Sequence, residues 1–121
     1  MKKTVLITGT SSGIGKATVV EFAKMGWNVI ATQRTPEKEK EFDEFSNVKI
    51  YSLDVTNLES IKQTISQAQK DYGKIDVVVN NAGYGVDGAF EAMSDEIIEK
   101  QFNTNVFGLM RVTREAIKHM R

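Results

Sequence analysis

Apolar positions along the chain change their period several times, and each change marks an element. Residues 4–8 are a β-branched and aliphatic run that reads as a buried strand. The run breaks at Gly9, and a helical apolar pattern starts at Ile14 and continues through Ala17, Phe22 and Met25. Gly26 is placed to end that helix in a left-handed turn. Residues 27–32 read as a second strand. Thr35-Pro36 then opens a short helix, since proline is tolerated in a first turn, and Phe42 and Phe45 give it a modest apolar face. Residues 48–53 alternate and make a third strand that stops at Asp54. Thr56-x-x-Glu59 has the form of a capping box, and the helix it starts carries Leu58, Ile61, Ile65, Ala68 and Tyr72 on one face before Gly73 closes it. Residues 75–79 are an almost wholly apolar fourth strand, as a strand covered on both faces should be. Ser94 caps a last long helix, with Asp95 and Glu96 favourably placed in its first turn. Its stripe is Ile98, Phe102, Val106, Leu109, Thr113, Ala116 and Met120.

Strands alternating with helices, βαβαβαβα, predict an α/β fold: a Rossmann-like parallel sheet with helices on both faces. Right-handed crossovers restrict the strand order to 3-2-1-4, with a ligand at the break between strands 1 and 4. No repeat or linker divides the 121 residues, so the whole span 1–121 reads as one domain.

The first strand, turn and helix make a device for holding a diphosphate. Backbone N–H groups at the first turn of a helix point at an anion, and the helix dipole favours its charge. The candidate loop is Thr8, Gly9, Ser11, Ser12, Gly13, Ile14 and Gly15. Gly9 lets the chain leave the strand in a tight turn, Gly13 has no Cβ to hold a phosphate away, and Gly15 lets the helix approach the strand. Gly15-Lys16 resembles the end of a P-loop, but Thr10 stands where the first glycine belongs and Ala17 where a magnesium-binding hydroxyl belongs. The Gly-x-Gly-x-x-Gly spacing is absent too; what stands here is Thr-Gly-x-x-x-Gly-x-Gly.

Composition narrows the chemistry. Lys plus Arg and Asp plus Glu number 16 each, so no net charge draws the chain to nucleic acid or an anionic membrane. The charge-dense run over residues 37–44 alternates in sign, as a solvated face does. There is no cysteine and a single histidine, His119, which removes disulfides, thiolate sites and a histidine-based zinc site from consideration. The start of the chain lacks a signal-peptide pattern and no run approaches membrane-spanning length, so the expectation is a cytoplasmic protein.

In such a sheet the ligand lies beyond the carboxyl ends of the strands. An NAD site places an acid after strand 2, roughly 20 residues past the glycines, for the ribose 2′-hydroxyl. Here Thr32-Gln33-Arg34-Thr35 has no acid, and Arg34 offers a guanidinium that can fork onto a 2′-phosphate, or is an ordinary surface arginine. The first alternative favours NADP over NAD. After strand 3, Asp54 is placed to accept the exocyclic amine of adenine with Val55 on the ring, or is a turn residue. After strand 4, Asn80-Asn81-Ala82-Gly83 combines small residues that let a ribose approach with asparagines able to satisfy strand-end backbone. Asn105 and Gly108 interrupt the last helix beside its stripe, which predicts a kink or an inward-facing polar site.

Together these motifs resemble the short-chain dehydrogenase/reductase family. The match rests on Thr8-Gly9-x-x-x-Gly13-x-Gly15, Asp54-Val55, Asn80-Asn81-Ala82-Gly83 and Asn105-Val106-x-Gly108, which span nearly the whole chain. Ala31-Thr32-x-Arg34 is similar to members that prefer NADP and act on steroids, retinoids or similar hydroxyl and carbonyl compounds. The resemblance implies adenine binding for Asp54, sheet support for Asn80, and for Asn105 the catalytic asparagine that holds a water in the proton relay.

One departure matters. The family's chemistry needs a serine and then Tyr-x-x-x-Lys, whereas four residues beyond Tyr51, Tyr72 and Tyr84 stand Val55, Asp76 and Gly88. A phenol with a pKa near 10 and no cationic neighbour is a poor acid/base at neutral pH. The expectation is therefore an amino-terminal cofactor-binding half without turnover of its own. A non-catalytic nucleotide-binding or self-assembling α/β fragment is the alternative. A methyltransferase-like domain shares the strand, glycine loop and helix but explains neither Asn105 nor Arg34. An open fourth strand and the stripe of the last helix predict a homo-oligomer.

Overall fold

The computed structural model describes residues 2–120. Four parallel strands, β1 (Thr4–Ile7), β2 (Asn28–Gln33), β3 (Val48–Ser52) and β4 (Val77–Val79), lie in the order 3-2-1-4. The register sets Val5 beside Val29 and Val77, and Ala31 beside Ile50. Three helices follow strands directly or after a loop: α1 (Gly13–Lys24), α2 (Leu58–Tyr72) and α3 (Asp95–Phe102). A π-helical turn, Asn103–Gly108, joins α3 to a fourth helix, α4 (Leu109–Ile117).

Strand alternation divides the core into two layers, because successive side chains point to opposite faces. Val5, Ile7, Val29 and Ala31 face Val19 and Ala23 of α1 together with Phe42. Leu6 and Ile30 face Ile61, Ile65 and Ala68 of α2 and Val112 and Ala116 of α4. Leu6, Ile30, Ile61 and Ile65 have no exposed surface, and burying a side chain of this kind contributes about 1.5–3 kcal/mol.

The structure corrects several local expectations. The helical stripe assigned to α1 is wrong at its ends: Ile14 and Met25 are 78% and 65% exposed, while Gly15, Val19 and Ala23 are the residues that face the sheet. Trp27 lies outside β2, its ring edge-to-face with Phe22 at a centroid distance of 4.9 Å. The Thr35-Pro36 helix is a single 3-10 turn, Pro36–Lys38, and Phe42 buries itself from the loop beyond it. The capping box does not form: Asn57 is the residue that caps α2, its side chain accepting from the Ser60 amide at 3.1 Å. Thr56 turns instead to Asp54. Among the described residues β4 pairs with β1 alone, and its valines are half-buried, Val78 against one core layer and Val77 and Val79 against the other. Gly26 and Gly73 end α1 and α2 at positive φ, 84° and 85°, as expected.

The last helix is broken where Asn105 and Gly108 predicted a kink. Its buried face is Gly108, Val112, Glu115 and Ala116, and Met120 packs against the core. Phe102, Val106 and Leu109 of the expected stripe are 50%, 39% and 42% exposed.

Candidate functional site

The ends of β1 and β4 are joined by one hydroxyl. The Thr8 amide donates to the Val79 carbonyl at 3.1 Å, and its Oγ1 accepts the amides of Asn81 and Ala82, each at 3.0 Å. Asn81 Nδ2 in turn donates to the Gly9 carbonyl at 3.0 Å. The two loops pack so closely that glycine is required twice. Gly9 adopts φ 67°, and a Cβ there would stand 2.8 Å from Ala82 Cα. A Cβ on Gly15 would run into the Gly9 carbonyl oxygen and the Asn81 carboxamide, so this glycine admits the loop and Asn81 as much as the strand. Gly13 differs: a Cβ there would meet nothing within 4 Å, and its φ of 59° is what calls for glycine.

The first turn of α1 is left open. Ser12 occupies the cap position in extended geometry without a side-chain cap, and the first turn holds no acid. α2 and α3 are finished differently. Asn57 caps one and Ser94 the other, the Ser94 Oγ accepting the Ile97 amide at 3.2 Å, and Glu59, Asp95 and Glu96 supply negative charge. The helix that begins at the glycine loop therefore keeps the unsatisfied N–H groups and positive dipole end that bind an anion.

Arg34 and Asp54 stand at the ends of the neighbouring strands. Arg34 is exposed and makes no ion pair among the described residues. Beneath it, buried Gln33 donates through Nε2 to Thr10 Oγ1 at 3.2 Å and to Glu39 Oε1 at 3.1 Å. Burial pushes the Glu39 carboxyl up, but hydrogen bonds from Gln33 and the Glu41 amide, with the charge of Lys16, outweigh it and leave its pKa lowered. Asp54 Oδ1 accepts the Thr56 hydroxyl at 2.6 Å and the Thr56 amide at 2.9 Å. Those bonds, with the Arg34 charge, hold its carboxyl below the usual carboxylate range despite partial burial. A carboxylate anchored through Oδ1 keeps Oδ2 as an acceptor.

The opposite wall is tied by a carboxamide. Asn105 Oδ1 accepts the Tyr84 amide at 3.0 Å, and its Nδ2 donates to the Tyr84 carbonyl at 2.6 Å. Gly83 leaves room for that contact, since a Cβ on it would stand 2.9 Å from Asn105 Oδ1. Between the walls runs a groove of about 470 Å³ lined by Thr8, Gly9, Ser11, Ser12, Ile14, Arg34, Asp54, Val55, Asn81, Ala82 and Gly83. Gly13 and Gly15 shape this groove from within the loop and are not on its lining, and Asn105 acts on it through Tyr84.

Residues 3–121 match the family model described as short chain dehydrogenase. This chain belongs to the short chain dehydrogenase family. It is 41% identical over 118 residues to an uncharacterized oxidoreductase of Schizosaccharomyces pombe, covering 98% of this chain and 40% of that protein. It is 37% identical over 117 residues to a 3-ketodihydrosphingosine reductase of Bacteroides thetaiotaomicron, covering 97% of this chain and 42% of the other. Among solved structures, ElxO with NADP bound superimposes with a TM-score of 0.90 at 39% identity, over 98% of this chain and 50% of ElxO. The chain thus spans about half the length of the relatives it matches.

Gln33, Leu53, Thr56, Tyr84 and Thr104 also line the groove and were not singled out from sequence. Gln33 and Leu53 had a signal, because both stand at the strand ends where a ligand is expected. Tyr84 had the same signal, directly after Gly83 in the loop that follows β4, whereas Thr104 had none, because it reaches the groove from the π turn. Two of the tyrosines are placed away from the groove. Burial and a hydrogen bond to Asp71 at 2.6 Å push the Tyr51 phenol far above its ordinary range, and burial chiefly raises that of Tyr72.

Proposed function

We propose that this chain is the NADP(H)-binding portion of a short-chain dehydrogenase/reductase-like oxidoreductase acting on an alcohol or carbonyl compound. The observation that carries this reading is the uncapped, acid-free first turn of α1 opening into a groove with Arg34 and Asp54 at the adjoining strand ends. Bound there, NADP(H) supplies the hydride donor or acceptor of the family's reaction. The residues fit such a group. Backbone amides of the Ser11–Ile14 stretch would hold the diphosphate, and Arg34 the 2′-phosphate through its planar fork of donors. Asp54, with Oδ1 already engaged by Thr56, would accept the adenine amine beside Val55. Asn81, Ala82 and Gly83 would border the ribose. That ElxO was solved with NADP supports the choice of cofactor.

Asn105 remains the candidate for the proton relay, in a specific sense. One N–H and one lone pair of its carboxamide hold the Tyr84 backbone, so it would position that loop while its second N–H and second lone pair could hold a water. The 121 residues hold no Tyr-x-x-x-Lys, and the phenols of Tyr51 and Tyr72 are raised, so turnover by this chain alone is not expected. Phe107, Met110 and Ile117, 50%, 59% and 41% exposed on the π turn and α4, together with the β4 edge, support a homo-oligomer. A monodisperse monomer in light scattering at micromolar concentration would remove that part of the reading.

Parallel calorimetric titrations with NADPH and NADH test the main proposal. Binding with NADPH preferred is expected. Arg34→Ala should weaken NADPH by roughly 1.5–3 kcal/mol more than NADH, the worth of a charge-assisted contact. Equal weakening takes Arg34 away from the 2′-phosphate, and silence with both cofactors sinks the cofactor assignment for this chain.

A further inference from the structure

Arg111 is half-buried in α4 and takes no part in the site described above. Its Nη1 lies 3.3 Å from the Val55 carbonyl and 3.3 Å from the Asn103 carbonyl. Those carbonyls belong to separate segments. Val55 stands in the loop after β3 and lines the groove, whereas Asn103 opens the π-helical turn. The joint between them is tight at a second point, because a Cβ on Gly108 would stand 2.7 Å from Val55 Cγ2. A π turn takes backbone carbonyls out of the regular helical ladder, and a carbonyl inside a protein needs a donor. A guanidinium with several rigidly spaced N–H groups can serve two such carbonyls together.

The same turn carries Asn105, which grips the Tyr84 backbone at both its N–H and its C=O. Contacts therefore run from Val55 through Arg111 and Asn103 to Asn105 and Tyr84. Both ends of that chain line the groove. We propose that Arg111 is a positioning residue: by seating the π turn on the Val55 loop it sets Asn105, and through Asn105 the Tyr84 loop. It does so without touching a ligand. The consequence for nucleotide binding rests on the NADP(H) reading, but the mechanical coupling does not.

Amide hydrogen exchange of the whole chain tests the coupling without a ligand. In Arg111→Met the Tyr84 amide and the Asn105 carboxamide protons should exchange about tenfold faster, as two bonds from a charged donor are lost. Leu6 and Ile30, in the central strands, should be unchanged. Arg111→Lys, which keeps a donor but loses the fork, should fall between. Unchanged exchange at Tyr84, or equal acceleration at Tyr84, Leu6 and Ile30, overturns the proposal. If Arg111→Met does not fold, the same ratio in Arg111→Lys decides. Titration separates the two claims. Arg111→Met should weaken NADPH and NADH by the same factor, unlike Arg34→Ala, and undiminished affinity for both would deny Arg111 any role in the site. Wild-type chain that binds neither cofactor would defeat the NADP(H) reading while leaving the exchange result to judge the coupling.

Discussion

The two walls of the groove are built by different means. The wall formed by β1, the glycine loop and α1 combines close backbone packing with side-chain bonds from Thr8 and Asn81 in a part-buried joint. Thr8 serves two amides, and Gly9 and Gly15 sit where a Cβ would collide with backbone. The wall formed by Tyr84, Asn105 and the π turn is held by side-chain amide and guanidinium bonds across exposed or half-buried segments. Close packing permits one arrangement, because an ångström of displacement meets repulsion. Hydrogen bonds at a solvated surface can open at modest cost, since water replaces them. The first wall is thus the more rigid of the two, and the second the easier to open.

Substitutions can break this contrast, beginning with the largest effect. Gly15→Ala should be severe, about 3 kcal/mol or more in urea unfolding, because the intruding methyl meets a carbonyl and an amide that have nowhere to go. Gly13→Ala, at positive φ but in open space, should cost only about 1–2 kcal/mol. Equal costs would show that backbone angle rather than crowding governs the loop. Thr8→Val keeps the shape but strands the Asn81 and Ala82 amides, for an expected loss of about 2–3 kcal/mol in the same assay.

On the second wall, Asn105→Ala should lower stability by about 1 kcal/mol or less, while Tyr84 loses its exchange protection. A loss matching that of Thr8→Val would mean the two walls are equally rigid. The smallest effect is expected behind the sheet, where Lys49, Tyr51 and Gln67 lower the Asp71 pKa to about 2. The unfolded value is about 3.9, so the folded state favours the carboxylate and the stabilisation is present above that pH. It is lost as pH falls through the folded pKa. Asp71→Asn should therefore narrow its gap from wild type, in urea midpoint, between about pH 5 and pH 2, and a gap independent of pH would remove the carboxylate's role.

Period and punctuation made most of the fold legible. β-branched runs, Gly26 and Gly73 located four strands and the ends of two helices, because strand burial and left-handed turns are local demands on residue type. The strand-end rule then brought Arg34, Asp54 and Asn81 to one groove, since parallel topology places those ends together. Errors came where neighbours decide. Asn57 displaced Thr56 as the cap of α2 because Asp54 held the Thr56 hydroxyl and amide. Ile14 and Met25 fit a helical stripe yet face outward, because α1 is anchored to the sheet by Gly15, Val19 and Ala23.

The sequence by itself determined the parallel α/β architecture, the glycine loop and the absence of any thiol. Each follows from residue type and spacing along the chain. Tertiary structure alone decided that Gly15 makes room for Asn81, that the last helix passes through a π turn, and that Asn105 and Arg111 spend their donors on Tyr84, Val55 and Asn103. Those contacts join residues 21 to 66 positions apart, apart from Arg111 to Asn103 within one helical run, and spacing along a sequence carries no record of which distant backbone atom a side chain will meet.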